Sequence, residues 1–224
     1  KLNSCPKNID SFLKVSLFKG NTPVVLTSAT LCQDGDKIED QYRYVAQSLG
    51  FVGEFSEPKT SPFNYVENAI MYISDKTPLY KKENREEYLD SVIMQIIELC
   101  NITEGRTLVL FTAKEDLNFV VEKIDSIQIP WKKIYQIEGS NQDIVIDKFR
   151  ESKGVLFGTG IFWEGINIPG PDLSQVIIVR LPFPVPNDPV TKYKISKSQD
   201  PFREIMIPEM LIKLRQGSGR LIRT

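Results

Sequence analysis

From Asn84 onward, short apolar runs alternate with stretches of helical periodicity, and this alternation restricts the chain to βαβ units around a mostly parallel sheet. The run "RTLVLFT" is a strand apolar enough to be covered on both faces. Before it, "NREEYLDSVIMQIIELC" reads as an amphipathic helix with Asn84 as N-cap and Glu87 three residues on. After it, Thr112 and Glu115 form a capping-box pattern for the helix "KEDLNFVVEKIDSI". Pro130 ends that helix; "KIYQI" follows as a short strand, "QDIVIDKFRE" as a helix, and "GVLFGT" and "QVIIVRL" as strands. The proline-rich "LPFPVPNDP" cannot continue a sheet, and the final helix begins near Pro208. An open α/β sheet results.

The first part of the chain is less regular. It offers a helix around "DSFLKVSLF", a strong strand "PVVLTSAT" and a helix near "DQYRYVAQSLG". The segment "FSEPKTSPF", with two prolines and polar spacers, is the best domain boundary. No internal repeat or low-complexity tract is present. The 224 residues suffice for one large or two smaller cores.

Composition narrows the chemistry. The chain contains 0 histidines, which removes Ser/His/Asp and Cys/His nucleophilic mechanisms and histidine-ligated zinc. Cys5, Cys32 and Cys100 are odd in number and far apart, matching neither a disulfide framework nor a metal cluster and pointing to a reducing compartment. No apolar run reaches membrane-spanning length, and the opening "KLNSCPKNID" lacks the apolar core of a signal peptide, so a cytoplasmic protein is expected. With a net charge of −1, any nucleic-acid contact has to be a local patch or groove.

Three stretches carry candidate chemistry. In "LRQGSGRLIRT", helical spacing places Gln216, Arg220 and Arg223 within about 60° of arc, with Leu211, Leu214, Leu221 and Ile222 opposite. Two guanidiniums and an amide so arranged suit a polyphosphate, and Gly217, Ser218 and Gly219 let a ligand or another domain come close. The plainer reading is a solvated basic face with a fraying end. In "FGTGIFWEGINIPG", directly after a strand, Gly158, Gly160 and Gly165 let backbone amides face outward. Thr159 adds a hydroxyl where parallel sheets bind ligands. Trp163 reads either as a stacking surface for a base or as a core aromatic, and Glu164 either as an organiser of nearby basic groups or as a loop charge. In "VVLTSATL", the strand ends in the small residues Ser28, Ala29 and Thr30, a weak signal by itself.

Taken in order, "LTSATL", "LVLFTA", "FGTGIFWEGINIPG" leading to "VIIVRLPFPVPNDP", and "QGSGRLIR" resemble motifs III, IV, V and VI of superfamily 2 helicases. "FWEG" and "LPFPVPNDP" point to the DinG branch of the XPD-like group, and the resemblance, which includes "SPFNY", covers most of the chain. It implies a RecA-like, P-loop NTPase-type α/β fold: a mostly parallel sheet flanked by helices, forming a second helicase domain without its own Walker A loop. Residues 1–58 would be the end of the first RecA-like domain plus a linker. Residues 59–224 would be the second domain, incomplete at its carboxyl end.

By the same resemblance, Gln216, Arg220 and Arg223 face an ATP triphosphate held with Mg2+ on the first RecA-like domain, one or both arginines acting as fingers. Glu164 and Asn167 join that nucleotide site. Thr159, Gly160 and the Trp163 region contact single-stranded DNA and couple it to the nucleotide; Ser28 to Thr30 belong to the coupling strand, and Thr112 lies near the DNA backbone. The implied activity is that of a 5′–3′ ATP-dependent DNA helicase, the partners being single-stranded DNA and the first domain of the same polypeptide. The alternative is a nucleic-acid-binding regulatory module fused to a 3′–5′ exonuclease. No phosphate loop is present, so this chain alone is expected not to hydrolyse ATP. Asn167 stands where the family's motif V usually has Asp, and the end after motif VI is expected to be exposed.

Overall fold

The computed structural model describes residues 9–135, 141–164, 168 and 170–221. These divide into two compact units, one formed by residues up to Pro62 with Phe183–Ile212, the other by Phe63–Pro182 with residues from Lys213 on.

The second unit holds the sheet. Strands β1 (Thr107–Leu110), β2 (Lys133–Tyr135), β3 (Val155–Gly158) and β4 (Gln175–Ile178) are all parallel, in the spatial order β2-β3-β1-β4. Leu110 pairs with Gly158 on one side and with Ile178 on the other, so the carboxyl ends of the three strands lie level. These are the four strands that the apolar runs predict, within the RecA-like α/β class. β1 and β3 are central and fully buried, while the edge strands β2 and β4 are only partly so.

Side chains alternate across the sheet as strand geometry requires. Val109, Phe111, Val155 and Phe157 face a core built with helices α4 (Arg85–Ile102) and α5 (Lys114–Asp125), which contribute Leu89, Ile96, Val120 and Ile124. Leu108, Leu110 and Leu156 face a second core with Val145, Ile146 and Phe149 of α6 (Gln142–Ser152), joined by Phe162, Trp163 and Leu173. Both faces being covered explains why β1 and β3 are continuous apolar runs.

The predicted caps are realised unevenly. Asn141 caps α6, its side chain accepting from Asp143 N at 2.9 Å. Asn84 occupies the N-cap position of α4, but its side chain turns back into the loop, accepting from Lys81 N at 2.7 Å and donating to Leu79 O at 3.0 Å. The capping box of Thr112 and Glu115 does not form, because Ala113 takes the N-cap position of α5.

In the first unit, α1 (Ile9–Leu13) runs on as a wider π turn over Lys14–Phe18, and α2 (Ile38–Leu49) ends at Gly50 in the left-handed conformation. Between them the predicted strand "PVVLTSAT" is absent. Residues 23–28 carry no ladder, Val25 is 87% exposed, and Ser28 and Thr30 bond to one another, Oγ to Oγ1 at 3.3 Å. A strand exists only through its neighbour, and among the described residues none pairs with this segment. A short helix α3 (Tyr65–Asn68) lies in the second unit, and further along the chain come α7 (Pro189–Ile195) and α8 (Ile207–Ser218), the latter entered through a π turn at Phe202–Met206. The Tyr44 hydroxyl and Lys194 Nζ both donate to Glu209 Oε1, at 2.7 and 2.6 Å, which ties α2 and α7 to the start of α8.

Candidate functional site

The chain leaves β1 through α5 on one face of the sheet and leaves the adjacent β3 through Phe162 and Trp163 on the other. Neighbouring strands whose connections depart to opposite faces open a crevice at their carboxyl ends, where open α/β sheets bind ligands. Thr112 and Thr159 stand at this point, just past Leu110 and Gly158. Thr112 is exposed and Thr159 half-buried. Gly160, at φ +53°, starts a 3-10 turn to Trp163, and nothing lies within 4 Å of where its Cβ would be, so this left-handed residue presents bare backbone to solvent. Gly158 is different: a Cβ there would strike the Phe162 ring at 2.7 Å, so its role is packing rather than display of an amide.

Trp163 is a core residue. Its side chain is fully buried, its Nε1 donates to Phe111 O at 2.9 Å, and no ring face is open for stacking a base. That bond ties the loop after β3 to the end of β1. Glu164 beyond it is exposed.

The end of α8 departs from the predicted continuous helix. The helix stops at Ser218, whose hydroxyl donates to Leu214 O at 2.9 Å, and Gly219 and Arg220 form a turn with Gly219 N bonded to Arg215 O at 2.9 Å. Arg220 therefore does not lie on a helical arc with Gln216, and it is not on an exposed face. It is 9% exposed, and its Nη2 donates to Trp163 O at 3.1 Å. Leu221 packs on the core beside α6, as its apolar character predicts. Gln216 is half-buried at the same end of α8. Asn167 and Arg223 lie outside the described residues.

The glycines of this stretch have a local use. A Cβ on Gly217 would lie 2.9 Å from Trp163 Cε3 and Cζ3, so the helix comes as close to the indole as backbone alone permits. The close approach expected for a ligand is thus made by the domain's own tryptophan.

A charged cluster missed in the sequence sits at the same carboxyl edge. Asp116, in the first turn of α5 and 3% exposed at its side chain, accepts from Arg85 Nε at 2.8 Å and pairs with Arg180 Nη2. The Arg180 guanidinium lies 4.1 Å from the Tyr80 ring centroid, and the Tyr88 hydroxyl donates to Val179 O at 2.5 Å. Burial raises the Tyr88 phenol pKa, with Arg180 pulling it the other way. The signal was available: Asp116, Val120 and Ile124 recur every four residues, which puts the carboxylate on the buried face.

Among the described residues no group of three Asp, Glu, Cys or His side chains is placed to hold a metal ion, and no helix is long and apolar enough to cross a membrane.

The helicase C-terminal domain family matches residues 96–224. The chain is similar to a probable ATP-dependent helicase, YpvA, of Bacillus subtilis, with 33% identity over 98% of this chain and 32% of the relative. It is similar to the ATP-dependent DNA helicase YoaA of Haemophilus influenzae, with 32% identity over 89% of this chain and 30% of the relative. It is also similar to the 3′-5′ exonuclease DinG of Bacillus subtilis, with 30% identity over 98% of this chain and 24% of that protein. The chain thus spans about a third or less of the length of these curated relatives.

Proposed function

This chain belongs to the helicase C-terminal domain family, in its DinG-type branch, and from that premise we propose that it is the second RecA-like half of an ATP-dependent DNA helicase motor. Residues 1–58 are then the end of the first RecA-like domain with its linker, and residues 59–224 the second domain. ATP, with its Mg2+, lies on the first domain, and phosphate oxygens are received here by Gln216, Arg220 and Arg223. Amide and guanidinium donors fit that task, since a guanidinium never loses its charge and presents a planar fork to an oxyanion. When bound, ATP supplies the phosphoryl group whose transfer to water drives movement.

Single-stranded DNA follows the carboxyl edge of the sheet past Thr112, Thr159 and Gly160. The bare backbone at Gly160 admits a phosphate without steric conflict, and the two threonine hydroxyls offer neutral donors. Glu164 and Asn167 border the nucleotide side. Ser28 and Thr30 carry the coupling strand, which forms when that segment meets a sheet. The observation that carries the reading is the chain of contacts Phe111 O to Trp163 Nε1 and Trp163 O to Arg220 Nη2, which links the proposed DNA edge to the proposed finger through one residue. Trp163 therefore couples from inside the core rather than by stacking on a base.

The decisive experiment uses the full-length protein that contains this chain. DNA-stimulated ATP hydrolysis and strand separation are expected in the wild type, and loss of hydrolysis in Arg220→Ala and Arg223→Ala with DNA binding retained. A wild-type protein without DNA-stimulated hydrolysis would falsify the motor reading. It would favour the second reading, a nucleic-acid-binding module serving a fused nuclease, which the exonuclease name of one relative supports. The isolated chain, lacking a phosphate loop, is expected to be inactive.

A further inference from the structure

One missing atom joins the loop after β3 to the end of α8. Alanine is preferred to glycine inside a helix, yet Gly217 lies within α8, where its Cβ would stand 2.9 Å from two ring carbons of Trp163 and 3.3 Å from Leu110 Cδ1. Trp163 has no room to yield: it is 0% exposed and its indole is fixed to Phe111 O. Lys213, one turn earlier on α8, holds its Nζ 5.6 Å from the same ring centroid. Three residues beyond Gly217, Arg220 Nη2 rests on the carbonyl of that tryptophan. A single residue thus carries the ring on which the helix lies and the oxygen on which the guanidinium lies.

We infer that Gly217 and Trp163 form a positioning pair that sets where the Arg220 guanidinium stands relative to the Thr159–Gly160 loop. Trp163 closes the 3-10 turn that starts at Gly160, and Phe162 N is bonded to Thr159 O at 3.1 Å within it. Displacement of the loop therefore moves the anchor of Arg220, and the close helix–ring contact makes that transmission stiff. Neither member of the pair is a catalytic residue; both act through Arg220. The pair itself rests on geometry, whereas its consequence for turnover rests on the function proposed above.

The test uses the full-length protein labelled with 5-fluorotryptophan, the Trp163 resonance being assigned by its loss in Trp163→Phe. Gly217→Ala and Arg220→Lys are each expected to shift that resonance. In kinetics, Gly217→Ala is expected to lower kcat for DNA-stimulated ATP hydrolysis by about ten- to a hundredfold through a displaced guanidinium, with KM for ATP unchanged. A Trp163 resonance indifferent to Arg220→Lys overturns the inference, whether or not the protein hydrolyses ATP, and this arm leaves the helix–ring contact untouched. A Gly217→Ala protein that melts at a lower temperature but turns over normally per folded molecule overturns it too, because the contact is then structural only. If the resonance responds to both substitutions while the wild type shows no hydrolysis, the positioning pair stands and the motor reading fails.

Discussion

Asp116 and Arg180 meet at the carboxyl edge of the sheet as a buried ion pair, the carboxylate side chain 3% exposed and the guanidinium 22%. Arg85 approaches the other carboxylate oxygen, so one aspartate holds two cations in place. Removing it leaves two partly desolvated guanidiniums facing each other. Asp116→Asn is therefore expected to destabilise the fold by about 2–4 kcal/mol in urea unfolding, and more than Arg85→Gln, which leaves the Arg180 pair intact.

Two left-handed glycines separate strain from space. Gly105 sits at φ +89° with its missing Cβ only 2.3 Å from Lys153 O, whereas Gly160 sits at φ +53° with open surroundings. Gly105→Ala should cost more than about 2 kcal/mol, and Gly160→Ala only about 1. Thermal melts of the two variants check the order. If Gly160→Ala proves the more harmful to folding, the loop does not present free backbone as described.

Cys100 is fully buried, and burial pushes its thiol up to about 12, a Thr107 hydrogen bond acting weakly in the opposite sense. The unfolded thiol ionises near about 8.5, so the folded state keeps its proton longer than the unfolded state does. Stability from this group is complete below about pH 8.5 and is lost as pH rises toward 12, by up to about 1.4 kcal/mol per pH unit. Urea midpoints at pH 7, 9 and 10 should fall more steeply for the wild type than for Cys100→Ala. A thiol reagent should reach Cys100 only once the protein unfolds.

Asp188 accepts from Val190 N at 3.0 Å and Thr191 N at 3.1 Å, with Pro189 beginning α7. Asp188→Ala removes the cap and is expected to cost about 1 kcal/mol, while Asp188→Ser keeps most of it. Equal losses in the two variants, read from chemical unfolding, would refute a capping role.

That last motif is legible in the residues themselves: within the proline-rich connection, "NDP" sets Asp before Pro, the pattern of an N-cap and a first helical residue. The four strands were legible because β1 and β3 are apolar on both faces, which only a doubly covered parallel sheet requires. Asp116 was legible too, through its place on the buried face of α5. Other features were beyond local reasoning. Val24 to Leu26 have the character of a strand, but character does not supply a neighbour to pair with. The helical period through "LRQGSGRLIR" runs on past Ser218, but Gly219, directly after the last helical residue, is itself a local stop signal. That stop depends on local geometry at Gly219, where a Cβ would meet Arg215 O at 2.8 Å, while the close seat of Gly217 depends on a tryptophan distant in sequence. The burial of Arg220 follows from the same distant contact.

The covering of both faces also makes the sheet observable by light. The chain has 2 tryptophans, and Trp131 belongs to the core with α4 and α5 while Trp163 belongs to the one with α6. Indole emission from Trp131→Phe and Trp163→Phe variants thus reports each side separately, corrected for how each replacement alters stability. If the two sides melt as one cooperative body, the transitions coincide after that correction; if one layer loosens first, its own fluorophore turns red before the other does.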